Sequence, residues 1–117
     1  MHDFRRLVVW ERAKALGVEI HLLVGEFPRA DRGVLGGQLR RAALSISANI
    51  AEGCGKSSRA ESARFFQIAA GSASETEHHL IVAGDLGFLD KRRTATLQSE
   101  AIAVQRMLRS LIRFFTS

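Results

Sequence analysis

Apolar residues return every three or four positions along four stretches of this chain, with polar residues filling the gaps. Val9, Ala13, Leu16, Ile20, Leu23 and Phe27 share one helical face. Leu35, Leu39, Ala42, Ile46 and Ile50 make a second seam, and Phe65, Ile68, Ala69, Ser72, Thr76, Leu80 and Ala83 a third. Leu97, Ala101, Val104, Leu108, Leu111 and Phe115 complete the set. This spacing winds an apolar stripe along an α-helix, whereas a half-buried strand would alternate, and no alternation is found. The pattern predicts four helices over about 7–27, 32–53, 59–86 and 91–115 within a single domain spanning residues 1–117.

The punctuation between the stripes supports that division. Phe27-Pro28 closes the first helix, because proline disfavours helical geometry in the residue before it. Asp31 is the expected cap of the second helix, and Gly53-Cys54-Gly55 its end, with glycine able to take a left-handed conformation there. Ser58 with Glu61 has capping-box spacing, Gly87 ends the third helix, and Asp90 can cap the fourth. Connections this short make consecutive helices antiparallel neighbours, so the expected fold is an all-α, up-down-up-down four-helix bundle. Gly17, Gly71 and Gly84 fall inside helices at a cost of about 1 kcal/mol each, and are expected to mark close helix approaches.

Composition adds a charge argument. Of 117 residues 46% are hydrophobic, enough for a packed core rather than a disordered chain. The net charge is +5, and 14 of the 17 cations are arginines, which favour planar contacts to carboxylate or phosphate. Nucleic acid is therefore the first partner to consider. Cys54 is the only cysteine, so neither a disulfide framework nor a cysteine-based metal site is expected, and a reduced cytoplasmic compartment is. The opening MHDFRRLVVWERAK interrupts its apolar run with charges, unlike a secretory leader, and no stretch is long enough to span a membrane. The expected protein is soluble.

Apparent catalytic motifs do not hold together. Gly55-Lys56-Ser57 resembles the end of a phosphate-binding loop, but Ile50 stands where the leading glycine belongs and no strand precedes it. Glu75-x-x-His78 is half of a carboxylate-bridged di-iron motif, yet the chain has no second copy, and His78 and His79 point about 100° apart on a helix. No metal, no cofactor and no enzymatic activity are expected.

Polar residues beside a buried seam need partners, or cost about 1–3 kcal/mol each. Asn49 and Glu52 flank the second stripe, and Arg64 and Glu75 lie toward the same region of the third. A structural network joining these four is expected, fixing helix register or a subunit contact, and Arg64→Ala would then lower stability or break assembly.

The order of motifs also carries a resemblance. Trp10, Phe27-Pro28, Gln38-Leu39-Arg40-Arg41-Ala42-Ala43, Ser45-Ile46, Asn49-Ile50-Ala51-Glu52-Gly53, Arg64-Phe65, Gly71-Ser72 with Glu75, and Leu86-Gly87-Phe88 follow one another. This resembles the four-helix bundle family that includes proteins encoded in intervening sequences of bacterial 23S rRNA genes. The resemblance covers nearly the whole chain, and its most specific part runs from Arg-Arg-Ala-Ala to Asn-Ile-Ala-Glu-Gly. It implies an antiparallel bundle that assembles as a ring-like homopentamer. It also brings in a related accessory protein of diversity-generating retroelements, a pentamer that binds nucleic acid and a reverse transcriptase. Two positions depart from the family pattern. Ser47 stands where members often carry proline, which leaves the helix its backbone bonds. Gly33-Val34-Leu35-Gly36-Gly37 replaces the usual aromatic before the arginine pair, and a more flexible entry to the second helix is expected.

Bundle topology turns the charges into a map. The start of helix one, the 53–58 connection and the end of helix four share one end, which gathers Arg5, Arg6, Lys56, Arg59, Arg109 and Arg113 against Asp3 and Glu61. At the opposite end Arg29, Arg32, Lys91, Arg92 and Arg93 are nearly balanced by Glu26, Asp31, Asp85 and Asp90. Arg106, Arg109 and Arg113 form an outward stripe on helix four. Five copies at +5 each would present +25, with repeated clusters for phosphate. Arg40 and Arg41 fit phosphate contact or an intersubunit ion pair equally well. With no tyrosine, and with Trp10 and the phenylalanines mostly at core spacing, backbone or shape recognition is expected rather than base stacking. Two readings follow: an oligomer that binds structured RNA or rRNA through arginines, or a scaffold that recruits an enzyme such as a reverse transcriptase.

Overall fold

The computed structural model describes residues 2–117. It is an all-α four-helix bundle built from α1 (Val8–Val24), α2 (Gly37–Cys54), α3 (Arg59–Asp85) and α4 (Lys91–Thr116). Each helix packs against the next, and α1 closes the bundle on α4 through a thinner seam. The long dimension of 44 Å is set by α3, whose 27 residues at about 1.5 Å each span roughly 40 Å. No helix is long and apolar enough to cross a membrane among the described residues.

The predicted stripes become the core. Leu16, Ile20, Leu39, Ile46, Ile50, Leu80, Leu97 and Leu108 are sealed from solvent between the four helices. Phe66 fills the third seam in place of the expected Phe65, which is only half-buried. Ile68, placed on the third stripe, is instead 43% exposed, because it sits at the outer edge of that seam. Buried polar groups find partners along the way. Ser62 Oγ donates to the Gly53 carbonyl at 2.8 Å, and Thr76 Oγ1 to the Ser72 carbonyl at 2.8 Å. Gln105 Nε2 reaches Glu77 Oε1 at 3.3 Å, and Gln98 Nε2 reaches Oε2 at 3.1 Å, which locks α3 to α4. Arg12 of α1 grips Glu100 of α4 with two bonds, Nη2 to Oε1 at 2.6 Å and Nε to Oε2 at 3.0 Å. That fork holds the thin seam and raises the Arg12 pKa, chiefly through the hydrogen bond to Glu100.

Helix ends show where local chemistry decides. The Ser58 hydroxyl accepts from the Glu61 amide at 3.1 Å, and Asp90 Oδ1 from the Arg93 amide at 2.7 Å, so both caps form where the spacing places them. Gly87, at φ +81°, ends α3: its amide bonds the Gly84 carbonyl, and the Phe88 amide bonds Ala83. The other expected signals are corrected. Gly55 keeps a right-handed φ of −83°, and α2 ends in i→i+3 bonds from the Gly55 and Lys56 amides to Glu52 and Gly53. α1 tightens after Val24 into i→i+3 bonds that carry the turn to Phe27. Asp31 caps nothing. A helical turn over Arg29–Asp31 runs through a π-type stretch, Arg32–Gly36, straight into α2.

Glycine placement answers to packing. A Cβ on Gly36 would lie 2.6 Å from Val24 Cγ1, and one on Gly53 only 2.7 Å from Phe66 Cε1. These are contacts that no side chain tolerates without displacement, so the entry to α2 is a packed joint. Gly17 and Gly84 also approach neighbours closely, whereas Gly71 faces open space, contrary to its expected role as a packing point.

Cys54 closes the opposite end of α2, at the joint beside Gly53, and is 1% exposed. Burial pushes its thiol pKa up, and the Asp3 carboxylate adds to the shift. A raised thiol stays protonated and unreactive at neutral pH. Native protein is expected to leave a disulfide reagent unconsumed until urea unfolds it. Prompt stoichiometric reaction of the folded protein would show that the joint opens.

Candidate nucleic-acid interface

One end of the bundle is assembled from three distant parts of the chain. The His2 amide donates to the Cys54 carbonyl at 2.9 Å, tying the N-terminal segment to the end of α2. The His2 ring meets Phe115 edge-on at 5.2 Å, and Phe115 meets Phe66 at 5.1 Å and 80°. Phe66 and Phe115 are buried, so they fix the start of α3 and the last turn of α4 around them. Charged residues next to those rings are held at the same end.

Those cations differ in how free they are. Arg5 is engaged by Asp3, Nε to Oδ1 at 2.9 Å, and this bond holds the Asp3 carboxyl below its usual range. Lys56 lies 3.5 Å from Glu52. By contrast Arg6, Arg59, Arg64, Arg106, Arg109 and Arg113 are exposed and have no carboxylate within ion-pair distance among the described residues. Arg109 Nη2 rests on Gln105 Oε1 at 3.4 Å, Arg113 Nη2 on Ser110 Oγ at 3.1 Å, and Arg59 on the Phe114 carbonyl. Neutral acceptors position a guanidinium without cancelling its charge. At the opposite end Glu26 takes up Arg93 at 3.5 Å, and Arg32 donates to the Phe27 carbonyl at 2.9 Å. Arg29, Lys91 and Arg92 are exposed there without a carboxylate partner among the described residues, but have no such ring or side-chain acceptor.

Arg40 and Arg41 separate. Gly25 turns its amide to Leu22, leaving the His21 carbonyl at the end of α1 open to another donor. Arg40 supplies two, Nε at 3.1 Å and Nη2 at 2.8 Å. A cation at a helix C-terminus also opposes the negative end of the dipole. Arg40 is thus a clasp between α1 and α2, held by a neutral acceptor that leaves its charge uncancelled, while Arg41 is exposed and unpaired among the described residues. Arg40→Ala is expected to cost about 1 kcal/mol, or about 4 °C in melting temperature. An unchanged melting curve would show that the clasp adds nothing.

The expected four-residue network does not form within the chain. Asn49 Nδ2 turns back to Ser45, bonding its carbonyl at 2.8 Å and its hydroxyl at 2.9 Å, and Ser45 Oγ meets Ser72 Oγ at 2.9 Å. Glu52 goes to Lys56, and Glu75 to the buried His79 at 3.2 Å rather than to His78. Arg64 lies over the Phe65 ring at 5.1 Å. Each group is satisfied one helical turn away or by its neighbour, which a stripe-flanking position does not reveal. The intrachain reason for Arg64→Ala to lower stability therefore falls away. Among the described residues no group of three metal-ligating side chains gathers.

Aromatic rings accompany the cations after all. Arg59 Cζ stands 4.9 Å from the Phe114 centroid and 5.0 Å from that of Phe115. Lys56 joins Arg64 over Phe65, at 5.0 Å, and Arg5 lies 5.8 Å from Phe4. Phe114 is 60% exposed. The only sequence signal was the adjacency Phe114-Phe115, where two successive aromatics cannot both face one core.

Three comparisons with known proteins bear on this geometry. Residues 5–110 match the family described as 23S rRNA-intervening sequence protein. A crystal structure from Bacteroides thetaiotaomicron VPI-5482, a protein with unknown function from the S23 ribosomal protein family, superposes with a TM-score of 0.82. It is 24% identical, with 90% of this chain and 98% of that chain covered, and shows the shared fold. No curated protein matches.

Proposed function

Because the chain belongs to the 23S rRNA-intervening sequence protein family, we propose that it is a basic, non-enzymatic cytoplasmic protein that binds structured RNA through one end of its bundle. The observation that supports this reading most is the group of six arginines without carboxylate partners, four of them fixed by neutral acceptors or ring faces. Guanidiniums held in this way meet phosphate oxygens with little further ordering cost and release counterions as they do. Filter binding of an RNA hairpin at low salt tests the proposal. Tight binding is expected, and absence of binding at low salt would overturn it.

Assembly is a second reading, carried by a different face. Val8, Val18 and Leu22 are 64%, 51% and 68% exposed on the outer side of α1, with Ala15 between them. Such a strip fits a second copy of the chain, five by the family resemblance, or the surface of a recruited enzyme such as a reverse transcriptase. Val18→Glu with Leu22→Glu is expected to reduce the particle to a monomer in light scattering. An unchanged mass would remove this strip from the subunit contact.

A further inference from the structure

We propose that the arginine-rich end holds an unpaired nucleotide by stacking its base on Phe114, so that single-stranded or looped RNA is preferred over a continuous duplex. The inference deepens the RNA-binding reading and rests on it. Phe114 exposes 60% of its surface in the last turn of α4, so most of an apolar ring is left in solvent. Its position is nevertheless fixed. Phe115 is buried against Phe66 and His2, and it meets Phe114 at 5.6 Å and 70°. Arg59 lies over the Phe114 ring while donating to the same residue's carbonyl. The result is a ring held from behind, with a guanidinium over one face, the rest of its exposed surface left for a base, and Arg113 next along the chain.

That combination matches what an unpaired nucleotide offers. The base has an apolar face for the ring, and the phosphate on either side has charge for Arg59 and Arg113. A duplex keeps its bases stacked on one another and offers only phosphates, so the ring adds nothing there. The half-buried Phe65, with Lys56 and Arg64 over it, repeats the pairing of ring and cation nearby. Charge complementarity selects nucleic acid for this patch over an apolar protein helix, which would leave the surrounding guanidiniums unpaired.

The test compares a single-stranded oligoribonucleotide with a blunt duplex of the same length, using the full chain. Phe114→Ala and Phe114→Leu are expected to weaken single-strand binding by roughly tenfold to a hundredfold while leaving duplex binding unchanged. Phe114→Trp is expected to retain single-strand affinity, with new fluorescence that the oligonucleotide quenches. Leu keeps the apolar bulk and loses the π-face, so it separates stacking from simple contact. Equal effects on both ligands, or no effect on either, would overturn the stacking inference and leave RNA binding in place. Failure of the unaltered protein to bind either ligand would overturn both.

Discussion

Phe66→Ala is expected to lower the unfolding free energy by about 3–5 kcal/mol, a large part of the roughly 5–15 kcal/mol that a domain of this size has. Phe66 is fully buried, packs edge-on against Phe115, and fills the space left by the absent side chain of Gly53. Its removal opens a cavity where three helices meet, and the rigid backbone of the Gly53–Ser62 joint, held by the 2.8 Å hydroxyl bond, cannot collapse into it. Urea unfolding followed by circular dichroism measures the loss. A change below about 1 kcal/mol would mean that the joint is loosely packed. Because Phe115 leans on Phe66, the same substitution also disorders the arginine end. RNA affinity should therefore fall together with stability in this variant.

Arg109→Glu combined with Arg113→Glu separates affinity from stability. RNA affinity is expected to fall at least about a hundredfold, since each charge-assisted contact is worth about 1.5 kcal/mol and reversal adds repulsion. Stability should move by no more than about 0.5 kcal/mol, because both side chains are exposed and rest on neutral partners. Mobility shift at fixed low salt, paired with a melting curve, reads both quantities. Full affinity in the folded double variant would exclude the α4 stripe from the interface.

The architecture was legible because periodicity reports which residues of a helix face inward, and four seams with short links leave few arrangements. Ser58, Asp90 and Gly87 were legible for a related reason, since each acts on its own backbone within a few residues. The entry to α2 was not. The helical path of Arg29–Gly36 goes with Gly36 fitting against Val24 at the end of α1, a tertiary contact twelve residues back that the capping signals do not encode. The functional end was legible only as a charge count. Chain topology gathered the arginines, but an arginine reaches far enough to choose among several partners. Arg40 chose a helix-end carbonyl and Arg5 chose Asp3, while Arg59 chose a ring and a carbonyl. Asn49 was misplaced in a network because Ser45, one turn back on its own helix, satisfies it more cheaply than any residue of α3.

The slope of RNA affinity against salt tests the central claim most directly, because it counts the phosphates the protein neutralises. The unaltered chain should show a steep linear fall of log affinity with log salt, and replacing Arg109 and Arg113 by Gln should make that slope shallower by about 2. A flat dependence, or a slope untouched by those two replacements, would contradict the assignment of phosphate binding to this end of the bundle.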